Sequence, residues 1–423
     1  MERVYSNQLE EGKKVVLKGW LHDFRLLGKV NFLILRDCSG FAQIVVKGEK
    51  FKDILKNLHQ EDVLEIKGTV KKSESEKFKF EVEAEEIKII NKSESLLPLD
   101  PREVTKANLE TKLDWRFLYF RTQEGKAIFR IQTEITKSFR EYFLKKGFIE
   151  MQPPIIIASA SEGGAELFSL PYFEKTAYLA QSPQLYKQMG AISFEKVFMI
   201  TPVFRAEKFD QPTHLNEIRQ MDIEMAFATD EDAIKELEEV LVYILKNVKE
   251  NCNKELEILG QKLEIPSLPL KRVTYEEAIN ALKERGEKIE YGEDFSKSQE
   301  KLLAKIFGNA FILKDWPEEL KPFYAMPKEE NPKIVKAFDL IYKGLEISSG
   351  TQRIHLPDLL EKRIKEKGLN PKDFEYYIKA FRYGAPPHSG WSIGLERLTM
   401  KICGKDNIQE VTMFPRTRTR ILP

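Results

Sequence analysis

The chain has 423 residues, of which 32% are charged, yet its formal net charge is only +1. This length predicts two or three domains, and the balanced charge excludes a protein drawn to nucleic acid by its overall charge. The sequence contains neither a secretion-type N-terminus nor an apolar run long enough to span a bilayer, so we expect a soluble, cytoplasmic protein without a membrane partner. Three widely spaced cysteines indicate free thiols.

The first ninety or so residues carry the apolar–polar alternation of short β-strands. Strands are predicted at 15–21, 32–36, 42–46, 64–70 and 78–89, with a helix at 51–59 between the third and the fourth. Five strands with this spacing favour a small Greek-key barrel of the OB type over residues 1–92, although other five-stranded barrels fit the same pattern.

A polar connector punctuated by Pro98 and Pro101 follows, and we place a linker at 93–125 and a second domain at 126–423. Apolar residues at helical spacing predict a helix over 128–143, which ends before Gly147. The next strand, 148–157, contains Pro153 and Pro154, which demand a sheet edge, a strand start or an interface. Residues 250–340 give a mixed signal, and the sequence assigns them no role.

An unusually charged hairpin is predicted over 197–227. One strand runs into Arg205 and Glu207, a loop carries His214, and a second strand returns after Glu217. The simpler interpretation is a hairpin with a solvated loop. The alternative is a cradle for a polyanion, because guanidinium and imidazole groups bind phosphate, while carboxylates accept from an amine or hold phosphate through a metal.

Two later segments favour the cradle. In LEISSGTQRIH, Glu346, Ser349 and Arg353 lie along a predicted strand. In SIGLER, a strand passes through a glycine into a helix whose first turn contains Arg397, beside unpaired backbone amides that favour anions.

Together and in this order, these segments resemble the three signature motifs of class II aminoacyl-tRNA synthetases. Motif 1 corresponds to about 126–157, with Pro154 at a dimer interface, motif 2 to about 197–227 and motif 3 to about 390–403. Further strings, among them GWLHDFR, SEGGAELF, AQSPQLYKQM and YGAPPHSGWSIGLER, extend a resemblance to archaeal-type aspartyl-tRNA synthetases over the whole chain. The implied fold is α/β (α+β): an N-terminal five-stranded OB-type β-barrel that binds the anticodon, then a catalytic domain on a mainly antiparallel sheet flanked by helices.

The resemblance implies that ATP activates aspartate as an aspartyl-adenylate, which is then transferred to tRNA, with Mg²⁺ as cofactor. Arg205 and Arg397 would be the catalytic residues. ATP would contact Arg205, Glu207, His214, Glu217, Ile218, Glu346 and Arg397, and Mg²⁺ would bind Glu346 and Ser349. At Ile218 the family often has an aromatic residue that stacks on adenine, so ATP affinity would depend more on Arg397.

Aspartate itself would be held by Glu162, Gln184, Lys187, Asp222, Ser349 and Arg353. Within this set Lys187 and Arg353 match the positions that hold the β-carboxylate, and Asp222 matches the position for the α-ammonium. Glu162 lies in SEGGAELF, which resembles a loop that closes over the amino acid.

For tRNA, the resemblance implies anticodon contacts from His22, Arg25, Phe32 and Gln43. Archaeal relatives restricted to tRNA(Asp) tend to have Trp where this chain has His22, so charging of tRNA(Asn) as well is expected, with an amidotransferase acting downstream. A homodimer is also implied. The basic C-terminus, FPRTRTRILP, either contacts tRNA or caps the domain.

Three alternatives stay open at this point. An asparaginyl-tRNA synthetase has a related catalytic domain, but a pocket for a neutral amide does not need both Lys187 and Arg353. A non-catalytic synthetase paralogue has no reason to retain both Arg205 and Arg397. An OB-containing nucleic-acid binder with an unrelated α/β domain would show no ATP–pyrophosphate exchange.

Overall fold

The structure, a computed structural model, describes residues 2–158, 167–209 and 211–423. It consists of two compact units, Met1–Thr122 and Gln123–Pro423. No helix in the described part of the chain is both long and apolar enough to cross a membrane.

The first unit contains a closed five-stranded barrel in the strand order β1-β2-β3-β5-β4, which confirms the predicted OB-type barrel. A short helix lies between the third and fourth strands, as expected, and two more follow the barrel. The elements are β1 (Lys14–Leu26), β2 (Val30–Arg36), β3 (Phe41–Lys47), α1 (Lys52–Lys56), β4 (Val63–Lys72), β5 (Phe80–Asn91), α2 (Leu109–Asp114) and α3 (Arg116–Tyr119).

The alternation that predicts these strands also fills the barrel. Leu21, Leu33 and Ile44 are fully buried inside it, and burying a side chain of this size stabilises the fold by roughly 1.5–3 kcal/mol. One charged pair is buried as well: Arg36 donates to both carboxylate oxygens of Glu61, at 2.8 and 2.6 Å. This geometry satisfies two charges that would otherwise destabilise the interior.

The second unit is built on an eight-stranded sheet with a separate three-stranded sheet beside it. Its elements in chain order are α4 (Gln123–Lys145), β6 (Ile149–Glu150), β7 (Ile156–Ile157), β8 (Ser169–Tyr172), β9 (Lys175–Leu179), α5 (Gln184–Phe194), β10 (Lys196–Phe204), β11 (Glu217–Ala226), α6 (Asp230–Asn251), α7 (Asn253–Ile258), β12 (Lys271–Thr274), α8 (Tyr275–Lys283), α9 (Lys297–Phe307), β13 (Ala310–Pro317), β14 (Ile334–Tyr342), β15 (Glu346–Arg353), α10 (Pro357–Glu366), α11 (Glu375–Arg382), β16 (His388–Gly394) and α12 (Leu395–Ile402).

The large sheet is mainly antiparallel, in the order β12-β13-β14-β15-β16-β11-β10-β6. The predicted charged hairpin is present, since β10 and β11 pair from Lys196↔Met225 to Phe204↔Glu217. The strand predicted over 148–157 is instead divided into β6 and β7, which belong to different sheets. Prolines lack the N–H that a ladder needs, so the exposed Pro154 and its neighbour separate the two strands.

Strand alternation separates the two faces of the sheet. Trp391 of β16 faces the helices, where it packs against Phe139 and Phe143 of α4 and donates to the Ala233 carbonyl oxygen of α6 at 2.9 Å. The next residue, Ser392, points to the opposite face and is the backbone partner of both Asp222 and Ser349. Polar side chains of β11, β15 and β16 therefore meet on the face that the helices leave open.

Candidate functional site

A cavity of about 110 Å³ opens on this polar face, and it gathers residues from the hairpin, β15 and α12. The lining includes six residues that the sequence assigns to ATP or metal binding: Arg205, His214, Ile218, Glu346, Ser349 and Arg397. Two others predicted for ATP, Glu207 and Glu217, are not among the described residues that line it. Glu217 forms an ion pair with Arg219 at 2.9 Å.

Arg397 organises one wall of this cavity. Its guanidinium donates to the backbone oxygen of Glu346 at 3.0 Å and lies 3.3 Å from Nε2 of His214. Because a guanidinium can only donate, Nε2 of His214 must accept, and the ring is neutral. Burial and the adjacent Arg397 lower the pKa of His214 to about 4, which keeps it neutral at physiological pH. The wall thus combines a cationic donor, Arg397, with a neutral imidazole that accepts from it.

Glu346 lines the β15 end of the cavity, and the buried carboxylate of Asp339 on β14 lies near it. Burial, with Glu346 nearby, raises the pKa of Asp339 to about 6, although Lys321 donates to it at 2.6 Å. Burial would also raise the pKa of Glu346, but Arg397 and three further cations hold it below its usual value. Oδ1 of Asp339 is buried and has no hydrogen-bond partner in the described part of the structure.

These oxygens fit Mg²⁺. Mg²⁺ in nucleotide sites takes one or two protein carboxylates and completes its shell with phosphate and water oxygens. Glu346, Asp339 and the Ser349 hydroxyl supply hard oxygen donors, and one of them is the partnerless Asp339 Oδ1. The described residues contain no group of three or more His, Cys, Asp or Glu that could hold a metal ion by itself.

A residue of helix α9 forms a hydrogen bond with the backbone of Glu346. The Glu300 carboxylate accepts from the backbone N–H of Glu346 at 2.9 Å and from Lys297 Nζ at 2.7 Å. These two residues belong to the stretch 250–340, to which the sequence assigns no role, as do Lys321 and Asp339. The stretch therefore supplies the support of the carboxylate end of the cavity.

The hairpin loop is held in place by its own residues and by the C-terminal segment. Asn216 donates its side-chain N–H groups to the backbone oxygens of Arg205 and Glu207, at 2.8 and 3.1 Å. Its backbone N–H donates to the carbonyl oxygen of Arg416 at 2.8 Å, and Arg418 donates to that of Lys208 at 3.0 Å. The basic C-terminus thus contacts the loop that carries Arg205.

One buried carboxylate of helix α12 forms hydrogen bonds with the backbone of strand β11. Both oxygens of Glu396 accept from the backbone N–H of Arg219, at 3.1 and 3.0 Å. Burial raises the pKa of Glu396 to about 7. This bond fixes the backbone beside Ile218, which lines the cavity.

Beneath the cavity lies a buried cluster of four charges, each at most 2% exposed. Arg353 donates to both oxygens of Glu224, at 2.8 and 3.0 Å, and to the Thr351 hydroxyl at 2.8 Å. Lys187 Nζ lies 2.8 Å from Asp222 and 3.6 Å from Glu224. Ser392, which lines the cavity, donates to Asp222 at 3.2 Å, so the cluster and the cavity are continuous.

The two cations of this cluster are already paired, and its formal charges sum to zero. Burial raises the pKa of Asp222, whereas Arg353 and Lys187 outweigh burial at Glu224 and lower its pKa. Arg353 uses three of its five N–H groups, so one N–H on each terminal nitrogen is outside these bonds. A Cβ at Gly390 would meet the Glu224 carboxylate, so only glycine fits there.

Gln184, the first residue of α5, is buried and donates to Gln188 at 2.9 Å. The predicted aspartate ligands Gln184, Lys187, Asp222 and Arg353 are therefore close together, with Ser349 in the adjoining cavity. Glu162 and most of the predicted closing loop lie outside the described residues.

In the first unit, a groove of about 940 Å³ runs along the barrel surface. Its lining includes all four predicted anticodon residues, His22, Arg25, Phe32 and Gln43. The side-chain amide of Gln43 donates to Glu81 at 2.8 Å, which fixes its orientation. Nδ1 of His22 lies 3.1 Å from the Arg36 guanidinium and must accept from it, so Nε2 carries the ring proton.

Sequence reasoning missed several site residues. Glu224 had a signal, because it lies two residues after Asp222 on a strand and must share its face. Lys297, Glu300 and Lys321 had none, since they reach the site through contacts between segments that are distant along the chain. A single sequence does not record such contacts.

Comparison with known proteins gives consistent matches. Residues 108–418 match the family model described as tRNA synthetases class II (D, K and N), and residues 15–90 match the OB-fold nucleic acid binding domain. A protein of Methanocaldococcus jannaschii named Aspartate--tRNA(Asp/Asn) ligase is 48% identical over 98% of this chain and 95% of its own length. One of the same name from Archaeoglobus fulgidus is 44% identical over the full length of both.

Among solved structures, asparaginyl-tRNA synthetase from Pyrococcus horikoshii, complexed with asparaginyl-adenylate, superposes with a TM-score of 0.96. It is 35% identical, and the match covers 100% of both chains.

Proposed function

The chain belongs to the class II aminoacyl-tRNA synthetases of the aspartyl, lysyl and asparaginyl group, and on that premise we propose that it attaches L-aspartate to tRNA. Enzymes of this class use ATP as a substrate and in general Mg²⁺. The observation that carries the proposal is the continuity between the cavity with Arg205 and Arg397 and the buried cluster with Lys187 and Arg353. One part suits a polyphosphate, and the other suits a small zwitterion.

In the first step, an oxygen of the aspartate α-carboxylate attacks the α-phosphorus of ATP, and the bond from that phosphorus to the bridging oxygen breaks. Aspartyl-adenylate and pyrophosphate result. No protein nucleophile is needed, because the substrate carboxylate attacks and the protein supplies positioning and charge. Arg205 stabilises the charge that develops on the α-phosphate, and Arg397 binds the distal phosphates or covers the adenine. His214 is neutral, so it adds no charge to the site, and it orients Arg397 by accepting a hydrogen bond from it.

The adenine would lie against Ile218, whose backbone is fixed by Glu396. An aliphatic side chain gives contact area without aromatic stacking, so Arg397 carries more of the ATP affinity. Glu207 and Glu217 do not line the cavity. Their assigned contacts, Glu207 with the adenine amino group and Glu217 with phosphate directly or through metal, rest on the resemblance alone. Glu346, Asp339 and Ser349 would hold Mg²⁺, which neutralises phosphate charge when bound.

Selection of aspartate rests on Arg353 and Lys187. The two N–H groups that Arg353 does not use in the cluster are available to the β-carboxylate, and Lys187 adds charge beside it. Asparagine would replace one charged acceptor with an amide N–H₂, which weakens a charge-assisted contact by roughly 2 kcal/mol or more. Glu162, in the predicted closing loop, remains assigned to aspartate binding by resemblance alone, as Asp222 does to the α-ammonium.

Asparagine activation is the second candidate, and two observations favour it. The cluster charges sum to zero, and a solved structure that superposes with a TM-score of 0.96 is an asparaginyl enzyme. Full-length relatives with higher identity carry the aspartate name, which supports aspartate instead. ATP–pyrophosphate exchange with each amino acid separates the two. Exchange that depends on aspartate supports the proposal, and exchange that depends on asparagine overturns it.

In the second step, a hydroxyl of the terminal ribose of tRNA attacks the aspartyl carbonyl carbon, and AMP leaves. The barrel groove with His22, Arg25, Phe32 and Gln43 would bind the anticodon, since an aromatic platform beside fixed polar groups suits unpaired bases. We assign the chain both tRNA(Asp) and tRNA(Asn), on His22 and on the names of its relatives. A product aspartyl-tRNA(Asn) would require an amidotransferase downstream.

A homodimer completes the proposal. The exposed Pro154 lies between two short strands, and the apolar side chains of Ile149 and Ile156 nearby are each 46% exposed. Burying such a strip against a second copy removes apolar surface from water. Sedimentation equilibrium of the full chain checks this, and a monomer at micromolar concentration contradicts it.

A further inference from the structure

A chain of buried hydrogen bonds connects three polar side chains behind the amino-acid end of the site. His388, Gln188 and Gln184 are 0%, 0% and 4% exposed, respectively. His388 begins β16 and is the backbone partner of Arg353 across the strand pair. The other two lie one turn apart on α5, which also carries Lys187. Gln184 is among the predicted aspartate ligands, but no group of the substrate is assigned to it, and His388 and Gln188 have no role in the proposed reaction.

The distances determine which atom donates in each bond. Nδ1 of His388 lies 2.8 Å from the Pro386 carbonyl oxygen, which can only accept, so Nδ1 carries the proton. Nε2 therefore accepts, and it lies 2.9 Å from the side-chain nitrogen of Gln188. Burial lowers the pKa of His388, which agrees with a neutral ring.

The orientation of Gln188 then determines that of Gln184. With its N–H₂ directed at His388, Gln188 turns its carbonyl oxygen to the Tyr377 hydroxyl and to the side-chain nitrogen of Gln184, each at 2.9 Å. Gln184 thus donates its side-chain N–H₂ to Gln188, and the side-chain carbonyl oxygen of Gln184 is directed away from Gln188. Reversing Gln184 would oppose two carbonyl oxygens, and reversing Gln188 would oppose two acceptors at His388 and two donors at Gln184. Either change costs buried hydrogen bonds.

We propose that His388 is a positioning residue for amino-acid recognition, which acts through Gln188 to make Gln184 present a hydrogen-bond acceptor to the substrate α-ammonium. Among the groups of aspartate only the ammonium donates, since both carboxylates are acceptors. An acceptor beside the cationic Lys187 and Arg353 sets the direction in which the amino acid binds. The inference rests on the proposed function and deepens it.

Protonation of His388 should disrupt this arrangement. A proton on Nε2 would face the N–H₂ of Gln188, which would have to turn over, and Gln184 would then turn its own N–H₂ toward the substrate. The charged groups that face His388 are Glu224 on β11 and Arg353 on β15, with His355 just beyond that strand. Glu224 favours the proton, whereas the other two oppose it. Because burial lowers the pKa of His388, the aspartate KM should rise only at a pH below the ordinary imidazole range.

The test measures aspartate-dependent ATP–pyrophosphate exchange and inhibition by succinate, which retains both carboxylates and lacks the ammonium. For His388→Phe, which keeps a ring but removes the acceptor, we expect the aspartate KM to rise about 10- to 100-fold, with the ATP KM and the succinate inhibition constant changed less than about twofold. Gln188→Leu should behave like His388→Phe. Gln188→Glu should have an aspartate KM much closer to wild type than that of Gln188→Leu, because a carboxylate offers Gln184 an acceptor in either orientation.

Each result decides the matter. An unchanged aspartate KM in His388→Phe, or equal weakening of aspartate and succinate, overturns the positioning role. Should His388→Phe fail to fold, the comparison of Gln188→Leu with Gln188→Glu decides, and no recovery by Glu overturns the proposal. A wild-type enzyme without aspartate-dependent exchange overturns the proposed function and this inference together, whereas an active wild type with insensitive variants overturns this inference alone.

Discussion

Replacing Arg353 by alanine tests the buried charge cluster. Arg353 is 2% exposed and binds both oxygens of Glu224, which is fully buried and would keep only Lys187, 3.6 Å away, as its nearest cation. Leaving a buried charge without its partner costs about 3–5 kcal/mol of folding stability. Losing a charge-assisted contact to the substrate carboxylate costs about 2–5 kcal/mol, which lowers kcat/KM for aspartate about 30- to 5,000-fold.

The stability loss and the recognition loss need separate readouts, and the chain offers a matched control. Arg36 in the barrel makes the same two bonds to a buried carboxylate, Glu61, which keeps Arg121 at 2.9 Å when Arg36 is removed. Arg36→Ala should also lose unfolding free energy in denaturant, by a smaller amount because Glu61 keeps Arg121, but it should retain aspartate-dependent ATP–pyrophosphate exchange. Arg353→Ala should lose that exchange, with the ATP KM within about twofold of wild type. A normal aspartate KM in Arg353→Ala would refute the role assigned to the cluster.

Three further predictions concern tRNA choice, metal and pH. His22→Trp should lower charging of a tRNA(Asn) transcript about tenfold relative to tRNA(Asp), and an unchanged ratio would remove His22 from tRNA selection. Asp339→Asn should raise the Mg²⁺ concentration for half-maximal exchange about 10- to 100-fold, and an unaltered Mg²⁺ titration would contradict its place in the metal site. The pKa of Glu396 is raised from 4.5 to about 7 in the folded chain, so folding favours the protonated carboxyl. The folded protein therefore loses stability as the pH rises from 4.5 to 7. Glu396→Gln does not titrate, so its unfolding free energy relative to wild type should rise by about 3 kcal/mol from pH 4.5 to pH 8. An equal difference at both pH values would refute the assignment.

Elements with a strong local pattern could be predicted from the sequence. The barrel strands alternate cleanly, and the hairpin of β10 and β11 combines apolar strands with charged ends. The grouping of Arg205, His214, Glu346 and Arg397 in one cavity follows once those strands are neighbours. Where local signals conflict, prediction was poorer: a strand over 148–157 became two short strands in different sheets, because prolines interrupt the ladder.

Pairing between distant segments could not be read from one sequence. Lys187 and Arg353 look like cations that await a substrate, but in the folded chain each meets a carboxylate of β11. The presence of two cations at the site is therefore not enough by itself to select aspartate over asparagine. The bond from Glu346 to Glu300 likewise joins residues 46 positions apart and depends on how α9 packs against the sheet.

The most direct test of the central claim is aminoacylation with labelled aspartate and labelled asparagine, each offered separately with ATP and Mg²⁺ to transcripts of tRNA(Asp) and tRNA(Asn). We expect aspartate to be attached to both transcripts and asparagine to neither. Attachment of asparagine to tRNA(Asn), without aspartate on either transcript, would contradict it.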